Sequence, residues 1–70
     1  METQLENQDL KKTIASLRED YRNVVILRFL SGLSPEETAQ VMERSVGAVR
    51  VLQHRALTAL KELLERASKV

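Results

Sequence analysis

The chain has 70 residues, of which 43% are hydrophobic, 30% charged and 3% aromatic, with a formal net charge of +1. At this length we expect one small domain, whose core is too small to enclose a large active-site cavity. Because the chain has no cysteine, no long apolar run and no signal-like N-terminus, we expect neither a disulfide framework nor a membrane span, and a cytoplasmic location.

The positive charge is concentrated towards the C-terminal end. The window from Arg44 to Lys61 contains four Arg or Lys residues and the single histidine, His54, whereas all ten acids lie outside it. A net charge of +1 is too small to indicate a nucleic-acid partner by itself, so the local distribution is the informative quantity. This distribution predicts one locally cationic helix on a nearly neutral protein.

A first helix is predicted over residues 4–16. Thr3 and Glu6 have the spacing of a capping box, in which a hydroxyl and a carboxylate each accept from a backbone amide at the helix start. Three apolar residues follow at helical spacing and would form its buried stripe: Leu10, Ile14 and Leu17. Ser16 and Glu19 repeat the capping-box spacing, which predicts the end of this helix and the start of the next.

A second helix is predicted over residues 19–31. Glu19 and Asp20 place negative charge in its first turn, where the helix dipole favours it. Its apolar residues occupy more than one face, which is typical of the central helix of a small bundle: Tyr21, Val24, Val25, Ile26, Leu27, Phe29 and Leu30. Gly32 follows as a C-terminal cap.

The third helix, predicted over residues 35–42, has the clearest start signal in the chain. Ser34 is its expected cap, and Pro35 fits its first position. Glu36 and Glu37 then supply negative charge in the first turn.

A fourth helix is predicted over residues 46–65, capped by Ser45. Its buried stripe consists of residues spaced three and four apart: Val49, Leu52, Ala56, Leu60 and Leu63. The polar tail from Glu65 to Val70 is expected to be loose. About three residues join the third and fourth helices, which is the outline of a helix-turn-helix. We therefore predict an all-α fold, a single four-helix domain over residues 1–70 with a helix-turn-helix at its C-terminal end.

The outward face of the fourth helix carries the candidate base contacts, Arg50, Val51, His54 and Arg55. These residues share a broad arc opposite the buried stripe. Arginine can donate twice to guanine, and valine suits a thymine methyl group. The alternative for the two arginines is a solvated helix face, where exposed arginine is usually found.

The start of the same helix carries the candidate phosphate contacts, Arg44, Ser45 and Gly47. Unlike the earlier helices, this one has no acid in its first turn, so its positive dipole end is free to meet a phosphate. Gly47 has two interpretations. Its missing side chain lets a DNA backbone approach closely, or it lets the fourth helix pack closely against the third.

We predict no cofactor, metal or catalytic site. His54 is the only histidine, so it has no partner ligand for a metal and no evident partner for catalysis. Glu36 and Glu37 are neighbours on a helix and face different ways, so the helix dipole explains them better than acid chemistry does. We therefore do not expect an enzyme.

Three blocks of the sequence resemble the region 4 (C-terminal) domain of bacterial RNA polymerase sigma factors, particularly those of the extracytoplasmic-function (ECF) type. The blocks are LREDYRNVVILR at residues 17–28, GLSPEETA at residues 32–39 and RSVGAVRVLQHRAL at residues 44–57. Blocks in this order and spacing are far more specific than a helix-turn-helix alone.

The resemblance implies a function and a set of partners. It implies recognition of the minus-35 element of promoter DNA in transcription initiation, with the candidate base contacts in the major groove and the candidate phosphate contacts on the backbone. It also implies docking on the β flap of the RNA polymerase core and, as is frequent in such proteins, an anti-sigma factor that covers the domain. Because nothing here corresponds to the region 2 domain, we expect an excised domain or a stand-alone relative that cannot start transcription by itself.

Two positions depart from the family pattern. Arg18 stands where the family often has proline, which weakens the break between the first two helices unless the Ser16 capping box replaces it. Glu43 stands where many helix-turn-helix units have glycine in a left-handed turn, so modest backbone strain is expected there.

Two other functions remain open from the sequence. One is the DNA-binding effector domain of a response regulator, which would dimerise through its last helix and bind a dyad-symmetric site. The other is a helical interaction module that never touches DNA, in which alanine at Arg50 and Arg55 would leave function intact.

Overall fold

A computed structural model describes residues 10–68, with the side chains of residues 10–66. The described part of helix α1 covers residues 10–15, and α2 spans Glu19–Val25 and continues as a π-helical segment, Ile26–Leu30. Helix α3 spans Pro35–Met42 and α4 spans Val46–Ser68. No strand occurs within this range, so the predicted all-α class with a C-terminal helix-turn-helix is confirmed. The capping box predicted at Thr3 lies outside the described residues.

The junction between α1 and α2 differs from the predicted capping box. Arg18, in an extended conformation, is the N-cap of α2 and makes no side-chain cap bond. The Ser16 hydroxyl donates instead to the Thr13 carbonyl of the preceding turn, at 2.7 Å. Asp20 satisfies a first-turn amide, because its carboxylate accepts from the next residue at 3.0 Å. The predicted box of Ser16 and Glu19 is therefore wrong, although the helix does start at Glu19 and the break is kept with arginine at position 18.

The last turn of the second helix is wound more widely than predicted. The chain is α-helical only to Val25, and a π-helical segment of five residues begins at Ile26. The Ser31 amide donates to the Ile26 carbonyl, five residues back, at 2.8 Å. Gly32 then ends the helix with φ 76°, a left-handed conformation that glycine adopts without strain, as predicted. The chain is thus helical over residues 19–30, close to the predicted range of 19–31, and only its last turn is π-helical.

Helix α3 and the turn that follows it match the prediction. The Ser34 hydroxyl accepts from the Glu37 amide at 3.0 Å, and the Glu37 carboxylate accepts from the Ser34 amide at 2.8 Å, which completes a capping box. Glu43 caps the other end in a left-handed conformation, φ 56° and ψ 47°, so the expected backbone strain is present. The Arg44 amide donates to the Ala39 carbonyl at 2.9 Å and closes the turn towards α4.

Helix α4 begins where predicted and ends later. The Ser45 hydroxyl accepts from the amide three residues further on at 3.1 Å, so the predicted cap is confirmed. The tail from Glu65, expected to be loose, is helical through Ser68, and that prediction is wrong over these residues. The physical reason is that the segment contains no glycine or proline, while Glu62 and Arg66 stand four apart in the order that supports a helix.

The core lies where α4 packs against α2 and α3. Its buried residues are Ile14, Leu17, Val24, Val25, Ala39, Val49, Leu52 and Ala56. Leu60 and Leu63, at the C-terminal end of the predicted stripe, are partly buried against this core. By contrast, Phe29 and Leu30 are 47% and 62% exposed, so the end of the second helix lies outside the core. Within residues 10–68, no helix combines the length and apolarity needed to cross a bilayer.

Thr38→Val is expected to stabilise the fold. The Thr38 side chain is fully buried, and its Oγ1 has no hydrogen-bond partner among the described residues. Valine has nearly the same shape without the polar atom, so we expect the free energy of unfolding to rise by about 1 kcal/mol in urea denaturation. Thr58→Val is the matched control, because Thr58 is exposed and its hydroxyl donates to the His54 carbonyl at 3.0 Å. A Thr38 variant that is less stable than the parent would contradict this assignment.

Candidate nucleic-acid interface

Three buried residues fix which face of α4 points inward. Val49 and Ala56 are 0% exposed and Leu52 is 9% exposed, whereas Val51, next to Leu52, is 50% exposed. Successive residues of an α-helix are about 100° apart, so burial of these three positions turns the opposite face to solvent. The core of the protein therefore sets the direction of that face.

The four candidate base contacts all lie on the outward face. Arg50, Val51, His54 and Arg55 are exposed. Measured around the helix from Arg50, His54 lies at about 40°, Val51 at about 100° and Arg55 at about 140°. The structure thus brings the four predicted residues together in one arc, on a helix of the size that a major groove admits. We call these four residues the recognition arc.

The arginines near the recognition arc are not paired with acids in the described part of the chain. Arg44, Arg50 and Arg55 form no ion pair with another residue in the range 10–66. Asp20, an acid close to this surface, is paired with Arg18 at 2.8 Å between Oδ1 and Nε. No group of three His, Cys, Asp or Glu residues that could hold a metal occurs among the described residues. The surface is therefore suited to an anionic partner.

The start of α4 is open to an anion. Arg44, Ser45 and Gly47 are all exposed there. The first turn of α4 contains no acid, whereas α2 and α3 each begin with two. The Ser45 oxygen accepts from a helix amide, which leaves its hydroxyl hydrogen free to donate outward. Free first-turn amides and the helix dipole together favour negative charge at this point.

Gly47→Ala separates the two interpretations of this glycine. A Cβ built at Gly47 would meet nothing within 4 Å, so close packing against α3 does not explain the residue. Alanine is the better helix former and should raise the free energy of unfolding by up to about 1 kcal/mol. If a phosphate approaches here, the same variant should bind every duplex more weakly, as measured by fluorescence anisotropy. A variant that is more stable and binds DNA equally well would show that no backbone approaches Gly47.

The sequence did not indicate that α2 contributes to this surface. A shallow groove of about 360 Å³ runs between the N-terminus of α2 and α4, and Arg18, Tyr21, Arg44 and Arg55 are among the residues that line it. The Arg18 guanidinium lies over the Tyr21 ring, 4.8 Å from its centroid. Arg18 and Arg55 are far apart in the sequence, and no local pattern predicts that they line the same groove.

A match to a family model identifies the chain. The model, described as Sigma-70, region 4, covers residues 7–60, which is most of the sequence. The chain belongs to the sigma-70 region 4 family. The resemblance inferred from the three sequence blocks is thereby confirmed, and the response-regulator alternative is set aside.

Similar proteins of known type are ECF sigma factors. The region 4 chain is 50% identical over 56 residues to the ECF RNA polymerase sigma factor ShbA of Streptomyces griseus. The matched segment covers 80% of the chain and 29% of ShbA. It is 56% identical over 41 residues to the ECF RNA polymerase sigma factor SigD of Mycobacterium tuberculosis. This matched segment covers 59% of the chain and 19% of SigD. The chain therefore spans less than a third of the length of these relatives.

A solved structure has the same fold. A chain of the RsbN-BldN complex superimposes on the region 4 chain with a TM-score of 0.81 and 41% identity, covering 83% of this chain and 42% of that one. BldN of Streptomyces coelicolor is an ECF RNA polymerase sigma factor, 43% identical over 60 residues, with 86% of this chain and 23% of BldN covered.

Proposed function

We propose that residues 1–70 act as one region 4 domain, which recognises the minus-35 element of promoter DNA in transcription initiation. The observation that best supports this function is the recognition arc, whose two arginines are exposed and form no ion pair within residues 10–66, while the opposite face of the same helix is buried. The role is one of binding, in the cytoplasm, where promoter DNA is found.

Within this proposal, Arg50 and Arg55 donate to base edges, and guanine is the base that suits a bidentate guanidinium. Val51, 50% exposed between them, contacts a thymine methyl group. His54 lies about 40° from Arg50 and donates to a base or a phosphate. Together these contacts read one short, non-palindromic segment of the major groove.

Arg44, Ser45 and Gly47 position the domain on the DNA without reading sequence. Backbone amides and a guanidinium at a helix start bind phosphate oxygens whatever the neighbouring bases are. Because these contacts are few, the affinity of the isolated domain should be weak and should fall with rising salt.

Protein partners would use a different part of the surface. Phe29 and Leu30, at the end of the π-helical segment, are 47% and 62% exposed, which supports contact with another protein. We propose the β flap of the RNA polymerase core as one occupant and an anti-sigma factor as another. The similar chain in the RsbN-BldN complex supports the second partner, since there a sigma factor of the same type is assembled with another protein, RsbN.

The proposed function is tested by titrating the 70-residue chain against a pool of short duplexes at two salt concentrations. We expect selection of one non-palindromic motif, with an affinity that falls as the salt concentration rises. Absence of any sequence preference at both salt concentrations would favour the remaining alternative, a helical interaction module that does not bind DNA.

A further inference from the structure

Arg28 joins three elements of the structure through one guanidinium. It lies in the π-helical segment, and its Nε donates to the Gln53 side-chain oxygen of α4 at 2.9 Å. A terminal nitrogen of the same group donates to the Leu33 carbonyl at 2.6 Å. Leu33 directly precedes the cap of α3. The π-helical segment, the start of the helix-turn-helix and α4 are therefore held by one side chain.

Gln53 lies at the border between the buried and the exposed face of α4. Around the helix it is about 40° from the buried Val49 and about 60° from Arg50. Glutamine can read adenine in the major groove, and Gln53 directly precedes His54 of the recognition arc. Its side chain is half-buried and turned to Arg28 instead. A hydrogen bond at this border resists rotation of α4 about its own axis.

The contact between Arg28 and Gln53 is made from within the π-helical segment. The Ser31 amide bonds to the Ile26 carbonyl at 2.8 Å, and the Leu33 amide bonds to the Leu27 carbonyl at 2.9 Å, so the chain closes a wide turn around Arg28. Arg28 also lies near the ring of Phe29, 5.6 Å from its centroid. π-turns are frequent at functional positions, and this one carries the residue that contacts α4.

We propose that Arg28 is a positioning residue for DNA recognition. Through Gln53 it fixes the rotational setting of α4 against α2 and α3, and thereby sets the base selectivity of the recognition arc without touching DNA. This inference rests on the proposed function, since it assigns the residue that aligns the base-reading surface.

A double-mutant cycle tests the role of the pair. Arg28→Ala, Gln53→Ala and the double variant are titrated with the duplex selected from the pool and with single-base variants of it, and each binding constant is corrected for the folded fraction measured by circular dichroism. Each single variant should lower the selectivity ratio about tenfold, and the double variant should be no worse than either single variant, because the two residues act through one contact. Arg22→Ala is the control, since it removes the same charge from the same helix. The assignment would be overturned if the single variants kept the selectivity ratio of the parent after correction for the folded fraction. It would also be overturned if the losses of the two single variants added up in the double variant.

A second readout does not depend on DNA. Residual dipolar couplings of the free 70-residue chain report the orientation of α4 relative to α2 and α3, and we expect both single variants to change it in the same direction while Arg22→Ala leaves it unchanged. An unchanged orientation would overturn the positioning role even if the chain selects a motif. If the parent chain selects no motif, the proposed function fails and the couplings alone decide whether Arg28 sets the orientation of α4.

Discussion

Arg50→Ala and Arg55→Ala are each expected to lose about 1 to 3 kcal/mol of discrimination between the selected duplex and single-base variants of it. The reason is that each arginine is exposed on the recognition arc, has no ion pair within the described residues and can donate two hydrogen bonds to one guanine. The fold should be unaffected, because neither side chain belongs to the buried stripe of α4. Competition titrations at constant salt measure the discrimination directly.

Arg44→Ala is the matched control for these two variants. It also removes a guanidinium, but from the turn that leads into the same helix, where a phosphate contact is expected. It should weaken binding to all duplexes alike and reduce the slope of log affinity against log salt by about 1. The reverse pattern, with selectivity lost in the Arg44 variant and kept in the Arg50 variant, would exchange the two assignments.

Leu52→Ala is expected to unfold most of the population. Leu52 is 9% exposed and belongs to the core between α4 and its neighbours. Truncation of a buried leucine costs about 2 to 5 kcal/mol. A single core in a domain of this size supplies only about 3 to 5 kcal/mol of net stability, so little or none would remain. Loss of the helical circular-dichroism signal, or a large fall in melting temperature, measures the effect.

Val51→Ala provides the comparison from the next position on the helix. Val51 is 50% exposed, and substitutions at exposed positions usually change stability by no more than about 0.5 kcal/mol. This variant should fold normally and discriminate less between bases at one position of the duplex, where the thymine methyl contact is made. Equal stability losses at Leu52 and Val51 would mean that the inward and outward faces of α4 are assigned wrongly.

Local signals in the sequence predicted most of the fold. The cap at Ser34, the cap at Ser45 and the glycine at position 32 each act through neighbouring residues, so their spacing alone indicates the helix boundaries. The buried stripe of α4 followed from helical periodicity in the same way. These features also placed the recognition arc, because an arc opposite a buried stripe must face outward.

Two kinds of feature could not be predicted: the choice between competing local hydrogen bonds, and contacts between residues that are distant in the sequence. Ser16 has capping-box spacing, but its hydroxyl bonds backwards to Thr13, and sequence spacing does not distinguish these two options. The π-helical turn and the Arg28 bond to Gln53 arise from packing between elements that are 25 residues apart in the sequence. Gln53 was not among the predicted site residues, because no local pattern indicates that its side chain bonds to another helix.

The most direct measurement of the central claim is an NMR titration of the isotope-labelled chain with the selected duplex. We expect the largest shifts in the backbone and side-chain signals of Arg50, Val51, His54 and Arg55, with smaller shifts at the start of α4 and none at Phe29 and Leu30. Shifts confined to Phe29, Leu30 and the rest of the π-helical segment, with α4 unchanged, would contradict the claim that the recognition arc binds DNA.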